Sequence, residues 1–148
     1  NEEVINYIYN DLYEFTMKKN EGSTNPAYYN TGSALRLYGK NSLTITTKAP
    51  IDSIVFVFDS EKPTGADNYS ISSGTYTLEG TTGTLDLTDE TNSVVLTNTA
   101  SSGHFRIKSI TIRFVEGSIV TTNSYAINQK EEMNDIGLRF GGIITKEL

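Results

Sequence analysis

The chain has 148 residues, a formal net charge of −6 and no cysteine. That length holds one core and leaves no room for a second full domain. The acidic balance, with 12 Lys and Arg scattered along the sequence, argues against nucleic acid as a partner, and the lack of cysteine excludes disulfides and thiolate metal sites. No apolar run is long enough to span a bilayer, so we expect no membrane insertion.

Residue usage predicts an all-β fold, because β-branched and aromatic residues suit half-buried pleated surfaces. The N-terminal segment Glu2–Tyr9 fits either a short helix or a strand extension. Leu12–Lys18 alternates cleanly and predicts a strand. The stretch GSTNPAYYNTGS that follows is rich in turn residues and predicts a loop.

The next two alternating segments predict a hairpin. Ala34–Tyr38 points Leu35 and Leu37 inward, and a turn at Gly39–Asn41 leads into Ser42–Thr47. Ile54–Phe58 is apolar at every position. It predicts a central strand covered on both faces, or a strand that crosses from the core into an interface.

Polar and short apolar segments then alternate. Asp59–Ser73 reads as a polar loop long enough to carry a site. Three short strands follow at the spacing of a sandwich, namely Gly74–Glu79, Gly83–Leu87 and Ser93–Asn98.

Gly103–Val115 predicts a long antiparallel strand with one bulge. Its apolar parity flips at Lys108-Ser109, and one extra residue there would let both apolar sets reach the same core. The set that we expect in the core is Phe105, Ile107, Ile110, Ile112 and Phe114, with Arg106, Lys108 and Arg113 on the other face.

The sequence becomes mostly polar after the long strand. We therefore divide the chain into a sandwich domain, 1–116, and a C-terminal extension, 117–148. The extension holds one or two helical turns at Ala126–Asn134, ended by Gly137, and a strand at Leu138–Ile144. That strand folds back on its own sandwich as an extra edge strand, marks the start of a next domain, or completes a neighbour's sheet. The candidate assembly residues are Leu138, Phe140, Ile143 and Ile144.

The succession YYNTGSALRLYGKNSLTIT, IDSIVFVFD, SGTY, NSVVLTN and HFRIKSITIRF resembles the jelly-roll β-sandwich modules of large secreted proteins of anaerobic, often gut-associated bacteria. These modules are similar in architecture to galactose-binding-like carbohydrate-binding modules. The resemblance covers roughly Leu12–Val115, and no ligand-binding residue is transferred by it. It implies an antiparallel sandwich of jelly-roll type.

Candidate chemistry is sparse. The single histidine, His104, cannot build a usual zinc site or catalytic triad by itself, and we expect it to be structural or solvent-facing. Asp86, Asp89 and Glu90 could in principle bind calcium, but carboxylates in polar turns are usually solvated. We therefore expect no cofactor and no enzymatic activity.

Tyrosines carry the remaining signal, because an aromatic face with a hydroxyl suits a sugar ring or a protein hot spot. The same side chains would equally serve to cap the ends of the sandwich. The candidate ligand-binding residues are Tyr28, Tyr29, Tyr38 and Tyr69.

Two hypotheses follow. The first is a non-catalytic extracellular binding or adhesion module for a glycan or a surface protein. The second is a structural subunit of a bacterial surface fibre or stalk that self-associates through a terminal strand. The chain begins with Asn1 rather than Met, which would follow from removal of a signal peptide or from the choice of chain boundary. With the resemblance, this leads us to expect a secreted or cell-surface location.

Overall fold

The described part of the chain forms two antiparallel sheets. The computed structural model describes residues 2–3, 6–8, 13–29, 34–59, 68–89, 91–116 and 135–139. Thirteen strands lie in these ranges: β1 (Glu2–Glu3), β2 (Asn6–Ile8), β3 (Tyr13–Lys18), β4 (Ala27–Tyr29), β5 (Ala34–Tyr38), β6 (Ser42–Thr47), β7 (Ile51–Phe58), β8 (Tyr69–Ile71), β9 (Thr75–Glu79), β10 (Thr82–Asp86), β11 (Ser93–Asn98), β12 (His104–Phe114) and β13 (Asp135–Arg139). The described residues contain no helix long and apolar enough to cross a membrane.

Eight of the described strands form the first sheet and five form the second. The first sheet runs β1-β4-β5-β12-β7-β10-β9, with β13 also paired to β12, and the second runs β2-β3-β6-β11-β8. The inward residues of both sheets form one hydrophobic cluster, in which Phe15, Leu43 and Leu96 of the second sheet meet Leu35 and Phe56 of the first. The predicted all-β sandwich is therefore confirmed.

Strand β12 joins the first sheet together, and its predicted bulge is present. Its pairing with β7 shifts register between Ile107 and Ser109, which leaves Lys108 as the extra residue. The five residues expected in the core, Phe105, Ile107, Ile110, Ile112 and Phe114, are each no more than 2% exposed. The bulge thus lets two apolar sets of opposite parity share one core.

The predicted hairpin of Ala34–Tyr38 and Ser42–Thr47 is wrong. Their inward residues are as expected, but β5 lies in the first sheet and β6 in the second, so the turn between them is a corner that crosses the sandwich. Two buried asparagines, Asn41 and Asn98, hold this corner.

Each asparagine replaces ladder hydrogen bonds that the corner interrupts. Asn41 Oδ1 accepts from the Tyr38 amide at 2.7 Å, and its Nδ2 donates to the carbonyls of Lys19 and Thr24. Asn98 Nδ2 donates to the Leu37 carbonyl at 2.9 Å, and its backbone exchanges bonds with Lys40 and Asn41. A buried amide is tolerated here because its polar groups are satisfied.

Strand β7 is central, as predicted, but it is not covered on both faces. It lies between β12 and β10, with Ile54, Phe56 and Phe58 buried and Val55 and Val57 only half-buried on the outer face. The apolar run misled because valine is favoured on an exposed sheet face for its shape as well as in a core.

Two segments predicted as loops contain strands. β4 lies inside GSTNPAYYNTGS and β8 lies inside Asp59–Ser73, of which residues 60–67 lie outside the described part. At the N-terminus the strand alternative is the correct one for the described residues, since β1 pairs with β4 and β2 with β3.

The C-terminal extension contributes β13 to the first sheet. β5 pairs with the first part of β12, His104 to Ile107, and β13 pairs with the later part, from Ser109 to Arg113. The strand begins earlier than predicted, and Gly137 is a strand residue paired with Thr111 rather than a helix end. The predicted helical turns at Ala126–Asn134 lie outside the described residues.

Candidate functional site

A cluster of basic and aromatic side chains lies on the outer face of the first sheet. We call it the arginine patch, and it comprises Tyr29, Arg36, Tyr38, His104 and Arg106. It is built from three adjacent strands, because β5 pairs with β4 on one side and with β12 on the other. Alternation places all five residues on the side of the sheet opposite Leu35, Leu37 and Phe105.

Arg36 is held by two tyrosines. Its Cζ lies 3.7 Å from the centre of the Tyr29 ring, and its Nη1 is 3.5 Å from the Tyr38 hydroxyl. The two tyrosine hydroxyls share a hydrogen bond of 2.8 Å. Arg36 Nε is buried and has no hydrogen-bond partner among the described residues, which is a cost to the folded state.

Arg106 is anchored from its own strand and from the end of β7. Its Nε donates to His104 Nε2 at 2.8 Å, which requires that ring nitrogen to be unprotonated. Its Nη1 lies 3.7 Å from Asp59 Oδ2. The Arg106 side chain is 40% exposed and the Asp59 side chain 34%. Such an exposed ion pair contributes little stability.

The His104 ring joins the two halves of the patch. Its centre lies 5.1 Å from that of Tyr38, at an angle of 45°. The histidine, expected to be merely structural or solvent-facing, is therefore half-buried beside Tyr38 and Arg106.

Tyr29 stays protonated at neutral pH. Its hydrogen bond with Tyr38 raises its pKa, and burial adds to this effect, while the Arg36 charge acts in the opposite direction. The patch thus presents the neutral phenol of Tyr29 beside two guanidinium cations.

The two arginine charges of the patch lower the stability of the protein when no ligand is bound. Arg36 and Arg106 are direct cross-strand partners, and like charges placed directly opposite each other destabilise a sheet. Lys108 stands two residues further along β12, at the bulge. Arg36 and Arg106 are therefore neighbours on one sheet face although they lie far apart in the sequence.

The predicted tyrosine site is divided by the fold. Tyr29 and Tyr38 are in contact within the arginine patch. Tyr69 lies elsewhere, packed between the sheets against Tyr76 with ring centres 4.9 Å apart. Tyr28 is a residue of β4 whose side chain lies outside the described part of the chain.

The remaining candidates give weaker sites. Asp86 borders an open groove of about 440 Å³ along β9 and β10, whose other lining residues are Thr77, Glu79, Thr82 and Thr84. Glu90 of the possible calcium site lies outside the described residues. Within the described residues, no three His, Cys, Asp or Glu side chains are grouped to hold a metal ion.

Of the assembly candidates, Leu138 is a β13 residue paired with Ile110 of the same chain. Phe140, Ile143 and Ile144 lie outside the described residues.

Arg36, Arg106 and His104 were missed as site residues. The sequence did place Arg36 beside Tyr38 and Arg106 beside His104, each pair on outward positions of its strand. What it did not show was that β5 pairs with β12, which lies far away in the sequence, instead of with β6. The sequence therefore indicated each pair of side chains, but it did not indicate that the two pairs lie on neighbouring strands.

Comparison with known protein families, with curated proteins and with solved structures found no match to this chain. Two features bear on function: the arginine patch, and the β12 edge, which is the side of β12 that pairs with β5 and β13.

Proposed function

We propose that this chain is a non-catalytic extracellular binding module of jelly-roll type that presents the arginine patch to a glycan. The observation that carries the proposal is the contact of Tyr29, Arg36 and Tyr38 on an outer sheet face. Phenol rings with hydroxyl groups beside guanidinium donors are a combination that suits recognition of a hydroxyl-rich, flat ligand.

Strand order supports the jelly-roll type. Between β5 and β12 the chain repeatedly crosses from one sheet to the other, which gives the order β5-β12-β7-β10 in the first sheet and β6-β11-β8 in the second. Two interleaved Greek keys produce this kind of alternation. β9 is a departure, because it pairs with β10 in the first sheet.

The position of the patch favours binding over catalysis. It lies on the outer face of the sheet, where the Arg106 side chain is 40% exposed, whereas catalytic sites usually exclude water. The secreted or cell-surface location, in a bacterial protein, remains part of the proposal and is supported by the resemblance of the sequence to modules of that kind.

Calorimetric titration of the full chain with neutral and acidic oligosaccharides, chosen from a glycan-array screen, tests the proposal. We expect at least one glycan to bind, and Tyr38→Ala to weaken that binding about tenfold or more, since hot-spot aromatic residues contribute at this level. Thr44→Ala, on the outer face of the second sheet, is the control and should leave the affinity unchanged. If no glycan binds, or if Tyr38→Ala binds as tightly as the parent, the proposal fails.

The β12 edge supports a second candidate, the structural subunit that assembles by strand addition. β13 fills the part of this edge that lies beyond the end of β5, and it reaches the edge across residues 117–134. A neighbour's β13 would satisfy the same backbone groups, so a chain of exchanged strands would build an open filament.

Paired cysteine substitutions distinguish exchange between copies from pairing within one copy. Thr111 and Gly137 are direct partners across β12 and β13, at a separation compatible with a disulfide, and the chain has no other cysteine. Under strand addition, a mixture of Thr111→Cys and Gly137→Cys chains forms disulfide-linked dimers under oxidising conditions. Under self-pairing the mixture stays monomeric, and the doubly substituted chain closes its own disulfide, which would overturn the assembly proposal.

A further inference from the structure

We infer that the ligand of the arginine patch is an acidic saccharide, one that carries a carboxylate or sulfate group held between Arg36 and Arg106. The inference depends on the proposed glycan-binding function and specifies the chemical class of the glycan.

The cross-strand arginine pair is the first argument. Residues directly opposite on neighbouring antiparallel strands have their β-carbons about 4.5–5.5 Å apart, so the two side chains leave the sheet side by side. Their repulsion lowers stability while the site is empty, and an anion between the two guanidinium groups would remove that cost. Because this like-charged pair lowers the stability of the fold, we attribute it to binding of an anionic ligand.

Pre-organisation is the second argument. The Tyr29 ring fixes the Arg36 side chain, and His104 Nε2 fixes that of Arg106 by accepting a hydrogen bond from its Nε. Since the two long side chains are already ordered, binding costs less side-chain entropy than it would for free arginines. Each guanidinium fork matches the two oxygens of a carboxylate or sulfate group.

The competing charge at the patch is weak. Asp59 lies 3.7 Å from Arg106, beyond the usual length of a charge-assisted hydrogen bond, and is itself about a third exposed. A ligand oxygen that approaches Arg106 directly can displace this contact at small cost. The long contact from Arg36 to the Tyr38 hydroxyl, 3.5 Å, can be displaced in the same way.

The surroundings favour a short acidic sugar over a long polyanion or an acidic peptide. The patch is local, and the net charge of −6 repels any polyanion that extends beyond it. On the same outer face, β12 continues with Ser109 and Thr111, and β10 carries Thr84, so the neighbouring surface offers hydroxyl groups to the hydroxyls of a sugar. Phenol rings at Tyr29 and Tyr38 complete the set.

Calorimetric titration of the full chain with four probes tests the inference. The probes are an oligogalacturonate, its fully methyl-esterified and therefore neutral counterpart, a sulfated oligosaccharide and an oligoglutamate peptide. We expect the first or the third to bind, with an affinity that falls as salt rises from about 50 mM to about 500 mM, because the contact is electrostatic. We expect the methyl ester to bind about tenfold more weakly or worse.

Variants assign the binding to the patch. Arg36→Ala and Arg106→Ala should each lower the affinity about tenfold or more, and Arg36→Lys should also lower it, because an ammonium group lacks the planar fork. Arg113→Ala is the matched control. It removes the same side chain from the outer face of the same strand, about 20 Å away at the rise of a strand, and should have less than about a twofold effect.

The outcomes separate the glycan-binding function from the acidic class of the glycan. Preference for a carboxylate or for a sulfate identifies the source of the negative charge and supports the inference. Equal binding of the methyl ester overturns the inference and leaves the glycan-binding function in place. Binding of the peptide alone, or of none of the probes and no other glycan, overturns both. Equal loss of affinity in Arg113→Ala would show that the patch is not the site.

Discussion

Gly83 of β10 lies beneath the phenol ring of Tyr76 on the neighbouring strand β9. A β-carbon at position 83 would contact the Tyr76 oxygen and lie 2.6 Å from its Cζ atom. The ring cannot move away easily, because it packs edge-on against Tyr69, with centres 4.9 Å apart, and against Phe56, at 6.3 Å.

We therefore expect Gly83→Ala to lower the free energy of unfolding by about 1–3 kcal/mol through overpacking. Urea unfolding followed by circular dichroism measures it. In Gly83→Ala/Tyr76→Leu the smaller side chain should make the added methyl group less costly than it is beside tyrosine. An unchanged midpoint for Gly83→Ala alone would contradict the close contact.

Tyr76 also predicts sensitivity to alkaline pH. Its hydroxyl is buried without a hydrogen-bond partner among the described residues, and burial raises its pKa, with the charge of nearby Tyr69 adding to the effect. The folded state therefore keeps a proton that the unfolded chain loses near pH ~10, and stability falls as pH rises above that value.

Replacement of Tyr76 by Phe should reduce this dependence on pH. We expect Tyr76→Phe to be as stable as the parent at pH 7 or slightly more so, because an unsatisfied hydroxyl is lost. Between about pH 10 and 11 its stability should fall less than that of the parent. Thermal unfolding at several pH values, with absorbance of tyrosinate as a second signal, measures the difference, and parallel curves would refute the assignment.

The bulge of β12 gives a prediction about register. Phe105 is 2% exposed and packs edge-to-face on Phe58, with ring centres 6.1 Å apart. Phe105→Ala should cost about 3–5 kcal/mol in denaturant unfolding. Lys108→Ala, at the bulge itself, serves as the control and should cost less than about 1 kcal/mol. Similar midpoints for the two variants would mean that the register is wrong.

Asn98 gives a prediction about the corner between the sheets. Replacing it with Leu leaves the buried Leu37 carbonyl and the Ala100 amide without their partners, since Asn98 Nδ2 and Oδ1 bind them at 2.9 and 3.0 Å. The expected cost is about 1–3 kcal/mol for each group that stays unsatisfied. Thr97→Ala, the adjacent half-buried residue, should be close to neutral. A stable Asn98→Leu protein would show that the corner does not need the amide.

Burial could be predicted from the sequence, whereas strand pairing could not. Alternation is a local property, so Leu35, Leu37 and Phe105 were assigned to the core correctly, and the parity flip located the bulge. The partner of a strand depends on loops and on distant segments. A tight turn at Gly39–Asn41 is compatible with a hairpin and with a corner, and the two differ in the distant strands with which β5 and β6 pair.

The candidate site could be predicted only in part, for the same reason. Tyr29 and Tyr38 were singled out for their chemistry, but Tyr69 was grouped with them although it packs between the sheets. Arg36 and Arg106 carry no motif, and their significance arises from a cross-strand pairing that local patterns do not encode. Short strands inside polar segments, β4 and β8, were missed because three residues give too little alternation to recognise.

Strand β13 has a consequence for the order in which the protein is made. The backbone groups of β12 between Ser109 and Arg113 find their last partner in residues 135–139, which leave the ribosome after 18 further residues, 117–134. At a synthesis rate of about 5–20 residues per second, this edge is open for about a second or more in each nascent chain. During that interval the unpaired backbone groups of β12 form an exposed sheet edge, the kind of surface at which other unfolded chains pair and misassemble.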